Sequence, residues 1–257
     1  MSAASARSMT PILPDHTYVV LKTTSRGVRI ICMKRTKLAD RKLPDYTKGE
    51  EIANMVTHII GAVFGIVALV LCVVFSAIKH DAYLVVGSAI YGSSLIVLYT
   101  MSSVYHGLHP NMGKKVLQVI DHCTIYFLIG GTYTPVVLGP VREVSPGWGW
   151  TIFGVVWGFC ILGCVFTAID LKKYSVLSMA CYIGIGWIIV IAIRPTIQAV
   201  TMKGILFLVL GGISYTIGAV LYGIGRKVRY MHTVFHVFVL LGTMFHFLAV
   251  FIYCVLA

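Results

Sequence analysis

From residue 50 onward the chain is a succession of long apolar runs broken by short polar ones, at about 52–78, 82–106, 116–138, 149–169, 175–193, 204–224 and 233–256. Each is close to or above the roughly 20 residues that carry a helix through a hydrocarbon layer about 30 Å thick. A helix satisfies its own backbone polar groups in lipid, so the pattern predicts an all-α, polytopic membrane protein with a seven-transmembrane helix bundle. Residues 1–49 have no such run. They hold ten Lys or Arg against three Asp, together with Pro11, Pro14 and Pro44, and read as a basic cytosolic tail, largely mobile. Two regions are therefore expected, the tail at 1–49 and one membrane domain at 50–257. No secretory signal peptide is expected, because Lys22, Arg26 and Arg29 interrupt residues 17–33.

Composition supports lipid as the solvent. Only 12% of residues are charged and the mean hydropathy is +0.88, too apolar for the surface of a soluble domain of 257 residues. The net charge of +12 suggests nucleic acid until its distribution is examined. With the N-terminus in the cytoplasm, ten cations in the tail join Lys114, Lys115, Lys172, Lys173, Arg226, Lys227 and Arg229 on the inner side. Only Lys79, Arg142, Arg194 and Lys203 fall outside. That asymmetry is the positive-inside rule, so we expect the N-terminus cytoplasmic, the C-terminus outside, a multi-pass location in the plasma membrane and no nucleic-acid partner. The polybasic stretch from Lys34 to Lys42 reads as a solvated, topology-fixing run, with contact to anionic headgroups as the alternative. The seven cysteines include no CxxC pair and lie mostly within apolar runs, so they read as packing residues. No phosphate-binding glycine motif occurs.

Ionisable groups within apolar runs are costly in lipid, so their placement is informative. His106 closes the second run, Asp121 and His122 open the third, and His232 and His236 open the seventh. The charge pattern puts all of them at the cytoplasmic side. His232 and His236, four residues apart, would stand about 40° apart around a helix and about 6 Å along it. Two such imidazoles can grip one ion, and His106 from another helix would supply a third nitrogen, leaving one position open as in catalytic zinc sites. Asp121 could then serve as the base for a water held there, with Ser102, one turn before His106, orienting it. His246 lies about 15 Å deeper than His236, too far to share the ion, and a buried hydrogen bond is expected. Glu50, Glu51 and Asp170 are expected to be solvated at the interface, and Tyr105 and Tyr133 to pack.

At these residues the chain resembles the hemolysin III family and its relatives, the progestin and adiponectin Q receptors. The resemblance rests on Glu51–His58, Ser102–His106, Asp121–Tyr126 continuing to Gly130–Pro135, and His232–His236 with His246, and it covers about residues 50–257. It implies a seven-helix fold with an intracellular N-terminus and a zinc ion held by His106, His232 and His236, with Asp121 and Ser102 at water-contacting positions. Asn54 and His58 fall within the family pattern without being main ligands. The relatives are grouped with alkaline ceramidases, which implies a metal-dependent lipid amide or ester hydrolase acting on a ceramide-like substrate in the membrane. A receptor or sensor with a structural zinc site, and a membrane-lytic protein, are the alternatives.

Overall fold

The computed structural model describes residues 17–24, 27–34, 36–225 and 227–257. Residues 1–16, 25–26 and 35 of the basic tail, and Arg226 of the charge pattern, lie outside the described residues. The chain divides into two compact units, Met1–Lys42 and Leu43–Ala257. The first contains an element that the polar reading of the tail did not include. Strands β1 (Thr17–Thr24) and β2 (Gly27–Lys34) pair antiparallel, with Thr17 opposite Lys34 and Thr24 opposite Gly27. Both strands are rich in Val, Ile and Thr, which favour extended backbone and here outweigh the scattered cations.

The regular secondary structure among the described residues of the second unit is all helical. Its helices are α1 (Lys48–Ile78), α2 (Ala82–Gly107), α3 (Met112–Val136), a single turn α4 (Arg142–Val144), α5 (Pro146–Ile169), α6 (Ser175–Gly186), α7 (Ile193–Ile224) and α8 (Met231–Val250). Among the described residues six segments are long and apolar enough to cross a bilayer, so the protein is a multi-pass integral membrane protein. The fifth and sixth apolar runs are joined in one of them, Ser175–Ile224. That segment is not one regular helix. A 3-10 stretch at Ile188–Ala192 interrupts it, and Thr201 takes φ 61 and ψ 170, outside helical space. At the 3-10 stretch the Tyr133 hydroxyl donates toward the carbonyls of Ile185 and Gly186 (3.0 and 2.8 Å) and accepts from the Ile189 N–H (3.1 Å). One buried side chain thus satisfies backbone groups released where the helix breaks.

The helices are built inside out relative to a soluble bundle. On α1 the buried positions are Glu50, Asn54, His58, Gly61, Gly65, Ala68, Cys72 and Ser76, a stripe of polar and small residues at three- and four-residue spacing. Ile59, Ile60, Val63, Ile66, Val67 and Val70 are exposed on the opposite face. In lipid, apolar side chains gain nothing by turning inward, whereas small ones let helices approach and polar ones find partners. A Cβ on Gly61 would sit 2.5 Å from the Tyr99 ring, so this glycine permits the close α1–α2 contact. α1 packs against both α2 and α8, and α3 packs against α2 and α5.

Candidate metal centre

The start of α1 is fixed by a capping box. The Thr47 hydroxyl accepts from the Glu50 N–H at 3.2 Å, and the Glu50 carboxylate accepts from the Thr47 N–H at 2.8 Å. The second oxygen of Glu50 accepts from the N–H of Tyr230 at 2.7 Å. Tyr230 has a left-handed backbone (φ 59) and begins α8, so Glu50 ties the first turns of α1 and α8 together. This junction sets the height of His232 and His236 relative to α1. Neither Glu50 nor its neighbour Glu51 is the solvated interfacial acid expected from sequence, and Asp170, 2% exposed, accepts from the Lys173 N–H at 3.1 Å. Each carboxylate has backbone or side-chain partners within reach, which lowers the cost of turning it inward.

Along the α1 seam, His106 from α2 meets His232 and His236 from α8. Their Nε2 atoms are separated by 3.2 Å (His106 to His232) and 3.1 Å (His232 to His236). One ligand atom from each lies within 4.8 Å of the others, and His106 and His236 are 2% and 1% exposed. The outer nitrogens explain the inward orientation. His106 Nδ1 donates to Glu51 Oε2 at 2.6 Å, and His236 Nδ1 points between the Asn54 carbonyl and the Thr57 hydroxyl, each at 3.3 Å. With the proton held on Nδ1, both rings turn an Nε2 lone pair toward the same point.

A metal fits this donor set. A tetrahedral ion bound at about 2.0–2.1 Å separates its nitrogens by about 3.3–3.4 Å, close to the spacing here. Three imidazoles cannot satisfy one another at this distance with hydrogen bonds alone, since two of the converging nitrogens carry lone pairs. The chain thus holds a buried His106, His232 and His236 group able to bind a metal ion.

The surroundings come from α1, α3 and the segment just before α1. Glu51 Oε1 accepts from Lys114 Nζ of α3 at 2.6 Å, and Lys114, 3% exposed, also donates to the Leu108 carbonyl at 2.8 Å. Tyr46, just before α1, stacks on His232 with ring centroids 5.2 Å apart and planes 19° apart, and burial pushes its phenol above the usual range. His58 stacks on His236 at 3.6 Å and 11°. Thr233 donates to Asn54 Oδ1 at 2.6 Å.

Ser102 is 1% exposed, and its hydroxyl has no hydrogen-bond partner among the described residues. Asp121 is not among the residues whose ligand atoms converge. Its Oδ2 lies 3.7 Å from His122 Nδ1. His122 donates to the Gln118 carbonyl at 2.8 Å, and His246 sits apart on the Leu208 carbonyl at 3.1 Å. Sequence reasoning missed Glu51, Lys114 and Tyr46. The available signal was the three- to four-residue spacing of Glu50 or Glu51, Asn54 and His58, which marks one inward face.

This geometry can be compared with known proteins. The haemolysin-III-related family matches residues 46–247. The chain belongs to that family. Hemolysin-3 homolog of Bacillus subtilis (strain 168) is 38% identical over 210 residues, covering 82% of this chain and 97% of the relative. Hemolysin-3 of Bacillus cereus is 36% identical over 204 residues, covering 79% and 91%. Human monocyte to macrophage differentiation factor is 25% identical over 217 residues, covering 79% and 84%. The haemolysin-III-related match begins at Tyr46 and includes every residue of the histidine centre.

Proposed function

We propose that this haemolysin-III-related protein is a zinc-dependent hydrolase of lipid amides or esters, of ceramidase-like type, working at the cytoplasmic face of the plasma membrane. The observation that carries the reading is the convergence of three imidazole nitrogens, two with their lone pairs directed by Glu51 and Asn54, at one end of a lipid-embedded bundle. Imidazole donors suit zinc, and three ligands leave a position open. When bound, zinc supplies a Lewis acid that acidifies water and polarises a carbonyl.

The chain's own residues supply the rest. His106, His232 and His236 hold the ion, and Glu51 keeps His106 in the tautomer that can bind. Asp121 takes the proton of the attacking water as general base. The buried Ser102 hydroxyl orients that water. The substrate enters sideways from the bilayer, which the apolar outer faces of the helices support.

The same contacts support the count of seven spans, and the charge pattern supports an N-terminus inside. His106 at the end of α2 touches His232 at the start of α8, so both ends lie on one side. From there α3 and α5 cross out and back. The Ser175–Ile224 segment must then cross an even number of times, which two spans meeting at Thr201 provide.

Metal analysis of the purified wild type beside His106→Ala and His236→Ala tests the centre. Zinc is expected in the wild type and not in the variants. Hydrolysis of ceramide-like lipids by the wild type is expected to be abolished in His232→Ala. Zinc without turnover, combined with lower thermal stability after chelation, would leave a structural zinc site of the receptor or sensor kind.

A further inference from the structure

The α1 seam contains polar atoms that the metal centre does not use. Asn54 is 0% exposed and its Nδ2 has no partner among the described residues, although its Oδ1 and carbonyl are engaged. His58 is 3% exposed, and neither of its ring nitrogens has a partner among the described residues. The two residues are four apart on α1 and so share one face. Nothing about the fold requires these nitrogens. The His58 ring is already held by stacking on His236 and by the edge of Tyr99, 5.0 Å away, contacts that a phenyl ring would make equally well. Buried polar groups left without partners are rare, because each costs about 1–3 kcal/mol. Three such atoms beside one candidate centre, in a membrane protein, point to a ligand.

The donor and acceptor inventory narrows that ligand. Asn54 Nδ2 offers donors only. An uncharged imidazole offers one N–H and one bare nitrogen, so His58 needs a donor from its partner as well as an acceptor. A carboxylate or an ester supplies acceptors alone. An amide linkage supplies both, a carbonyl oxygen and an N–H, and the bundle presents it with no fixed charge on Asn54 to favour an ion. We propose that Asn54 and His58 form the binding site for the amide linkage of a membrane lipid, and that they set a preference for amides over esters. This rests on the reading of the adjacent centre as one that acts on lipid.

The experiment uses the full chain in detergent micelles, with N-palmitoylethanolamine as the amide probe and 2-hydroxyethyl palmitate as the matching ester. Binding is read from the ligand-induced shift in Tm over a concentration series, and metal content is measured on the same samples. The wild type is expected to bind the amide at least about tenfold more tightly than the ester, the worth of about one hydrogen bond. His58→Phe, which keeps the stack, is expected to erase that preference while retaining the wild-type metal content and ligand-free Tm. Asn54→Asp, which keeps the oxygen facing Thr233 and removes the amide donor, provides the same test if His58→Phe does not fold. Equal binding of both probes by the wild type would mean that water alone satisfies these atoms, and would overturn the proposal. So would a preference that survives in the variants. A wild type without metal would overturn the zinc reading and leave the amide and ester comparison intact.

Discussion

Glu51 is the residue that converts a histidine pair at a helix end into a directed ligand set. Its carboxylate lies between His106 Nδ1 and Lys114 Nζ, 2.6 Å from each. Carboxylates in this position fix the ring tautomer and raise ligand basicity, and their loss typically costs 10- to 100-fold in metal affinity. Glu51→Ala is therefore expected to weaken zinc binding by about 10- to 100-fold, measured by competition with a chromophoric chelator, while Glu51→Gln, which keeps an oxygen near Nδ1, loses less. A Glu51→Ala protein with wild-type affinity would show that His106 is held by packing alone. The convergence of three histidines was legible, because the spacing of His232 and His236 declares a shared helix face and His106 ends another apolar run. Glu51 was not. An acid at the boundary between tail and span has the same sequence whether it faces water or turns inward, and its partner His106 is 55 residues away.

At the scale of elements, apolar runs translated into helices because a spanning backbone must bond to itself. The interruptions did not follow from hydropathy. The stretch around Ile188–Ala192 is as apolar as its flanks, and what stabilises its break is a hydroxyl from another helix, Tyr133. Tyr133→Phe removes the donor and acceptor that serve Ile185, Gly186 and Ile189 without changing ring volume. It should destabilise the protein by about 1–3 kcal/mol, the cost of leaving buried backbone groups unpaired. Equilibrium unfolding in mixed micelles would measure it, and an unchanged midpoint would mean that the backbone repairs the break locally. The tail hairpin was hidden for a different reason. Alternation in Thr17–Thr24 and Gly27–Lys34 is diluted in the sequence by Lys22, Arg29 and Lys34.

For the whole molecule, charge and contact each support a part of the proposed seven-span topology, charge the orientation and contact the number of crossings. Charge places Lys114, Lys115, Lys172 and Lys173 with the tail on the inner side. Contact requires that the ends of α1, α2, α3 and α8 meet, through Glu50 with Tyr230, Glu51 with Lys114 and His106 with His232. Between the end of α5 and the start of α8 the chain must then return to the side it left. Fifty helical residues would measure about 75 Å at 1.5 Å per residue, enough for two crossings of a layer about 30 Å thick and far too long for one. In the proposed seven-span topology Thr201, with its left-handed φ, marks the reversal of direction, and Lys203 just beyond it lies on the outer side. In a cysteine-free background, Lys203→Cys in intact cells should react with a membrane-impermeant maleimide, and Lys172→Cys should react only after permeabilisation. A Lys203→Cys that stays unlabelled from outside would remove the seventh span, and the histidine centre would then need a different route for the chain to bring α8 back beside α2.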